Sequence, residues 1–165
     1  MILAATSAEL AAGIRTHFEH KQVRKIYAAL VFGVPAPPVQ VWRDLLVVDK
    51  RGGRVRTAPK GNIPSESRMS LVRSGRTEPR VSLVQLEPRT GRSHQLRVQC
   101  TKRNLPVVGD QTYGNFPRNR DFARKSGFKR LFLHSLETSF EYAFKGQTHS
   151  FAARAPLPSE FEAAL

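Results

Sequence analysis

The sequence predicts a single domain of class α+β, and three observations carry that expectation. Leu10, Ile14 and Phe18 recur at helical spacing, whereas period-two alternation runs through 23–33, 80–88 and the last third of the chain. A length of 165 residues suffices for one buried core and is too short for two comfortable ones. No internal repeat or low-complexity segment divides the chain.

The opening MILAA is apolar but five residues long with no charged region before it, so it reads as a buried strand that starts abruptly, not as a signal peptide or membrane span. Thr6 with Glu9 three residues on has the form of a capping box, which starts a short amphipathic helix through ELAAGIRTHFEHK. VRKIYAALVFG follows as a strand. Ile26, Ala28, Leu30 and Phe32 make its core face, while Lys25, Tyr27, Ala29 and Val31 make a second face whose surroundings the pattern leaves open. Pro35, Pro37 and Pro38 end it. A second apolar stretch, Val39 to Val48, contains Trp42.

DKRGGRVRTAPKGNIPSESR (49–68) is rich in Gly, Pro, Arg and Lys, which predicts a long exposed loop or loose hairpin, either a solvated linker or a nucleic-acid contact. RVSLVQLEP is the next strand. Neither glycine nor proline occurs between Gly91 and Pro106, which predicts a helix from Ser93 to Arg103 with His94, Arg97 and Thr101 on one face. Asn104 is placed to end it in the left-handed conformation. LPVVGDQTYG is a short apolar segment closed by Gly109 and Gly114. FKRLFLHSLETSFEY supplies one or two strands, and KGQTHSFAARAPLP a turn at Lys145–Gly146 and a final strand.

Charge narrows the function. A formal charge of +14 and a pI near 11 create a field that attracts polyanions, of which nucleic acid is the commonest. A membrane-surface binder would need a basic amphipathic helix or a polybasic run beside an apolar segment, and the sequence has neither. The one cysteine, Cys100, excludes an internal disulfide framework and a zinc pattern, and five scattered histidines suggest no metal site. Asp44, Asp49, Asp110 and Asp121 are the only aspartates, which argues against a paired-carboxylate hydrolase.

The densest cluster of donors is RTGRSHQLRVQ (89–99), three arginines, a histidine and two glutamines without an acid. Arg92 and Arg97 flank an expected helix start, where backbone N–H groups already favour anions, and arginine there can grip a phosphate or carboxylate bidentately. A solvated basic helix is the bland alternative. Tyr27 reads as core by spacing, although its neighbours Lys25 and Ala29 also suit a ring that faces a pocket and stacks on a base. His94 reads as a local hydrogen-bonder, and Asp110 as the residue that orders its own turn.

TGRSHQLRVQ followed by LPVVGDQTYG resembles the signature of the RluA-type RNA pseudouridine synthases, a pattern close to TGRTHQIRVH, a gap, PIVGD and YG. KIYAALVFGVP resembles that family's K-x-Y-x-A-x-V-x-G segment, and LFLHSLETSF with FAARAPLP resembles its closing motifs. The resemblance implies a pseudouridine synthase catalytic fold with a mixed, largely antiparallel sheet and flanking helices, over 1–165 as one partial catalytic domain. It implies an isomerase that flips a uridine out of structured ribosomal or transfer RNA and rejoins the base through C5, with no cofactor and no metal. Tyr27 would partner the flipped base and Arg97 would pair with a catalytic aspartate. Lys25, Arg92, His94 and Gln95 would contact RNA or organise the turn.

The resemblance has departures. Gln99 stands where a histidine is usual and Asn104 where a glycine is usual. The family's aspartate lies in an HRLD-type motif ahead of the strand matching MILAA, and no residue here occupies its position, so the chain is expected to lack that catalytic group and the earlier strands. A noncatalytic RNA-binding or ribosome-assembly protein is the alternative function. RNA is the expected partner, with no membrane, in a monomer that is cytoplasmic, with an organelle as the alternative if the true N-terminus lies elsewhere.

Overall fold

The computed structural model describes residues 2–48, 55–57, 61–76 and 78–165. In chain order the elements are α1 (Ala8–Glu19), β1 (Arg24–Phe32), β2 (Val39–Val48), β3 (Val55–Thr57), β4 (Ile63–Ser74), β5 (Val81–Pro88), α2 (Gln95–Lys102), α3 (Phe116–Ser126), β6 (Leu133–Phe144), β7 (Gln147–Arg154) and α4 (Ser159–Ala163). The strands form one sheet in the order β3-β2-β4-β5-β1-β6-β7, and each neighbouring pair is antiparallel. This is the expected α+β class. Among the described residues no helix is long and apolar enough to cross a membrane.

Both faces of β1 are core, including the one its sequence left open. Ala29 and Val31 pack with Trp42, Met69, Leu86 and Leu96 on the side covered by α2. Ala28, Leu30 and Phe32 pack on the opposite side with Phe122 of α3, Phe161 of α4 and Phe132. Phe132 is the hub of that second cluster, edge-on to Phe161 at 5.2 Å and to Phe122 at 5.7 Å. Each fully buried ring of this kind contributes about 2 kcal/mol by removal from water.

Several local expectations are corrected. Residues 2–5 form no strand, and Ile2 is almost fully exposed. The cap of α1 is Ser7, not Thr6: its hydroxyl accepts from the Leu10 N–H, so the helix starts one residue later than the Thr6–Glu9 spacing suggested. Within 49–68, residues 49–54 and 58–60 lie outside the described residues, but Val55–Thr57 pairs with β2 and the twelve-residue β4 begins at Ile63. Ser65 and Ser67 are buried there, because their hydroxyls find partners that composition does not reveal. Helix α2 runs over Gln95–Lys102, with His94 outside it as a left-handed N-cap (φ 55). Asn104 is left-handed as expected (φ 57), and Lys145 and Gly146, both at positive φ, make the β6–β7 turn.

Neither α3 nor α4 was forecast, and β2 was read only as an apolar stretch. The start of α3 follows from capping: the Asn115 side chain accepts from the Arg118 N–H, and Pro117 sits in the first turn. Gly109, at φ +75, sets the path between α2 and α3, since a Cβ there would stand 1.8 Å from the Arg130 carbonyl oxygen.

Candidate functional site

A cavity of about 430 Å³ opens between α1, β1 and the β5–α2 turn, and all six residues singled out in the sequence line it: Lys25, Tyr27, Arg92, His94, Gln95 and Arg97. Phe18 of α1 and Leu133 of β6 complete its apolar wall. β1 delivers Lys25 and Tyr27 from one face of the strand. Beside them the register against β6 shifts between Ile26 and Tyr27, where Leu136 of β6 is the extra residue. Tyr27 is half-buried, packing against the α2-side core while its ring borders the cavity.

The turn that carries Arg92 is held from beneath by Gln95. The Gln95 Oε1 accepts from Thr90 Oγ1 (2.7 Å) and from the Arg92 N–H (3.2 Å), and its Nε2 donates to the Glu66 carbonyl (3.0 Å) and Ser67 Oγ (2.8 Å). Those four bonds use the whole capacity of the amide. Gln95 therefore organises the turn and has no polar atom left for a ligand.

The same polar chain continues inward. Ser67 Oγ donates to Gln99 Oε1 at 2.8 Å, and Gln99 Nε2 donates to Asp44 Oδ2 at 2.9 Å. Asp44 in turn accepts from Lys102 Nζ (2.6 Å) and Arg103 Nη1 (2.9 Å). Burial pushes the Asp44 carboxyl up, but the hydrogen bonds from Lys102, Arg103 and Gln99 outweigh it and hold the group below the usual range. Gln99 is fully buried and fits this network as an amide that donates and accepts at once.

Arg97 meets Asp110 bidentately, Nε to Oδ2 at 2.7 Å and Nη2 to Oδ1 at 2.6 Å. Asp110 Oδ1 also accepts from the Thr112 and Tyr113 N–H groups, so it orders its turn as the sequence suggested and holds the arginine as well. Its hydrogen bonds to Asp110 raise the Arg97 guanidinium further above its already high range. At Asp110 burial raises the carboxyl, yet Arg97 and the two backbone donors win and leave it lowered.

Tyr113 ties this pair to the helix start. The Arg97 guanidinium lies 4.9 Å from the centre of the Tyr113 ring, Thr101 Oγ1 donates to the Tyr113 carbonyl (2.7 Å), and the Tyr113 hydroxyl lies 2.9 Å from His94 Nδ1. That hydroxyl accepts from the Val55 N–H, which couples β3 to the site. Arg97 and Thr101 share a face of α2 as expected, whereas His94 precedes the helix and reaches the same Tyr113 from its left-handed cap position. Tyr113, Thr90 and Phe18 are the site residues that the sequence reading passed over. The signal for Tyr113 lay in the YG of LPVVGDQTYG and that for Thr90 in the first residue of TGRSHQLRVQ, whereas Phe18 carries no sequence mark of its place.

The cavity is a positive one. Lys25, Arg92 and Arg97 line it, and no carboxylate among the described residues does. Burial lowers the Lys25 amine below its ordinary range, as it does for a cation without an acidic neighbour. An ideal Cβ at Gly91 would stand 3.4 Å from Lys25 Nζ, so the bare backbone of that turn makes room for the amine. Cys100 is excluded from this chemistry, since burial pushes its thiol up to about 12. Such a site can hold a phosphate or carboxylate beside an aromatic face. It supplies no general base from an acidic side chain.

Comparison with known proteins agrees with these features. Residues 1–102 match the family described as RNA pseudouridylate synthase. The tRNA pseudouridine synthase C of Yersinia pestis is 31% identical over 163 residues, covering 93% of this chain and 63% of that protein. The ribosomal large subunit pseudouridine synthase C of Vibrio vulnificus (strain CMCP6) is 32% identical over 149 residues, covering 90% of this chain and 45% of that protein. The chain thus spans about half to two thirds of the length of these relatives. The solved structure of human RNA pseudouridylate synthase domain containing 1 superposes with a TM-score of 0.76 at 24% identity, over 97% of this chain and 66% of that one, which shows the fold. By family match, relatives and fold together, the chain belongs to the RNA pseudouridylate synthases.

Proposed function

We propose that residues 1–165 are part of one pseudouridine synthase catalytic domain and form the uridine-binding side of its active site, acting on ribosomal or transfer RNA. The observation that carries this reading is the single cavity in which Lys25, Tyr27, Arg92 and Arg97 converge. A uridine turned out of its stack brings a flat base and a phosphate on each side. The Tyr27 ring borders the base, while Lys25 and Arg92 receive the phosphates.

Arg97 orients the site chemically. Asp110 occupies its Nε and one N–H of Nη2, and the guanidinium has five N–H donors in all. The remainder can hold a second carboxylate ionised in a dry pocket, the state an aspartate needs to assist cleavage of the N-glycosidic bond. The isomerisation breaks the bond from C1′ to N1, forms one from C1′ to C5 and exchanges a proton, so no atom is gained or lost. The described residues place no carboxylate in the cavity: Asp44 and Asp110 are engaged within the fold, and Asp121 pairs with Arg124 and Lys125. The residues here bind and orient the uridine, and turnover requires an aspartate brought to Arg97.

The formal charge of +14 supports a second reading, RNA binding without modification. One experiment separates the two: join the chain to a family segment that carries the aspartate, incubate it with RNA carrying 5-tritiated uridine, and measure tritium release alongside binding. Release sensitive to Arg97→Ala supports the enzyme, and salt-dependent binding without release supports the binding protein. Absence of RNA binding overturns both. A cytoplasmic monomer is the state proposed for either activity, and sedimentation of the purified chain tests the monomer.

A further inference from the structure

A second cavity lies away from Lys25 and Tyr27. Its volume is about 770 Å³, and its walls include Phe116, Arg120, Phe122, Arg124, Phe128 and Lys129. The surrounding segment, 115–130, holds six cations and one acid. This concentration is not explained by the uridine cavity, which α3 does not line.

The six cations divide by what they touch. Arg118 lies over the Phe32 ring at 4.5 Å, Arg130 reaches Glu160 at 3.3 Å, and Arg124 and Lys125 share Asp121. Arg120 and Lys129 have no acidic partner among the described residues, and both are exposed at the cavity wall. Arg124 joins them there, because its pairing with Asp121 is a solvent-exposed contact of one helical turn and yields readily to a stronger anion. Between these charges the wall is aromatic: Phe116 is 49% exposed and Phe128 is half-buried.

We propose that this cleft is a second RNA-binding surface, which takes a single-stranded segment flanking the target uridine, with Arg120, Lys129 and Arg124 on its phosphates and Phe116 stacked on a base. The inference rests on the RNA-directed reading above and extends it to a surface that reading does not use. Cations beside an exposed aromatic ring suit an unstacked strand, which offers both a phosphate and a π-face at each nucleotide. A duplex offers only phosphates to such a wall.

The cleft and the uridine cavity share one structural part. Asn119 accepts from the Gly109 N–H and donates to the Asp110 carbonyl, both at 2.9 Å. Gly109 and Gln111 line the cleft, while Asp110 and Tyr113 of the same turn brace Arg97 and His94. A strand seated against α3 is therefore fixed relative to the Arg97 side of the other cavity.

The test is fluorescence-anisotropy binding of the 165-residue chain to a single-stranded RNA of about 12 nucleotides and to the matching duplex, from about 50 to 200 mM salt. The variants are the double substitution Arg120→Glu with Lys129→Glu, the milder pair Arg120→Ala with Lys129→Ala, Phe116→Ala, and Lys25→Met in the uridine cavity. All cleft substitutions are at exposed side chains, and equal thermal midpoints confirm folding. The proposal expects the charge reversals to weaken single-strand binding about tenfold or more and to flatten the salt slope by about 1, the contribution of one or two phosphate contacts. Phe116→Ala should weaken binding about fivefold or more at unchanged slope. If the cleft variants bind like the parent while Lys25→Met is weakened, the cleft proposal is overturned and the uridine-cavity reading stands. Equal affinity for the duplex overturns the single-stranded occupant. If the parent chain binds neither RNA, both readings fall.

Discussion

The Arg97 guanidinium and the Asp110 carboxylate, thirteen residues apart, form a bidentate pair in which the aspartate side chain is fully buried and the arginine side chain 16% exposed. The pair joins α2 to the turn that leads into α3. It fixes where Arg97 points before any substrate arrives.

Asp110→Ala should therefore be among the most damaging single changes. It strands a mostly buried guanidinium and frees the Thr112 and Tyr113 N–H groups, and loss of one partner from a buried pair costs about 3–5 kcal/mol. The low end is expected, since Arg97 keeps some water contact. Urea denaturation measures it; a loss below about 1 kcal/mol would show that the pair contributes little.

Acid should weaken the fold through Asp44 and Asp110. Both carboxyls are lowered from 3.8 in the folded state, so their contribution is complete above that value and is lost as pH falls through the lowered pKa values. Thermal midpoints should hold steady from neutrality to about pH 4 and drop below it. Asp44→Asn should lower the neutral-pH midpoint and flatten the acid limb. An unchanged acid limb in that variant would exclude Asp44 as a source.

Gln95→Leu should separate turn organisation from ligand contact. The change removes four hydrogen bonds and takes the Gln95 amide from the Glu66 carbonyl and the Thr90–Arg92 turn, at a cost of about 2–4 kcal/mol. RNA affinity should fall together with stability, because Arg92 loses its support. Full stability with weakened RNA binding would instead make Gln95 a direct contact.

Lys25→Met should move stability and binding in opposite directions. The half-buried amine lacks an acidic neighbour at the cavity, so the folded state disfavours its charge, and that penalty eases as pH rises through its lowered pKa toward 10.5. Methionine keeps the apolar stem, and stability at neutral pH should stay level or rise by about a few tenths of a kcal/mol, a modest gain because solvent screens the amine. The salt slope of RNA binding should shrink by about 0.7 if the amine meets a phosphate. An unchanged slope would remove Lys25 from the phosphate contacts.

The strands and the motifs were legible in the sequence because their signals are local. Alternation gave β1 and β5, Lys145–Gly146 gave the last hairpin, and the RTGRSHQLR cluster gave most of the cavity wall. Where local signals compete, the reading slipped: Thr6 and Ser7 are both competent caps, and only the path of the chain into α1 selects Ser7. The loop-like composition of 61–68 hid the start of β4, since Ser65 and Ser67 become strand residues only when Asp44 and Gln99 come to meet their hydroxyls.

By itself the sequence determined the α+β class, the basic character and the family, each of which depends on residue type and order along the chain. Tertiary structure decided the partners. It gave Asp110 to Arg97, turned Gln95 inward to hold the Arg92 turn, and brought Phe18 of α1 beside Lys25 and Tyr27. It also set Arg120 and Lys129 beside exposed aromatic rings. Such pairings depend on which buried polar group finds a matching donor or acceptor across the sheet, and that matching exists only once the strands and helices have packed.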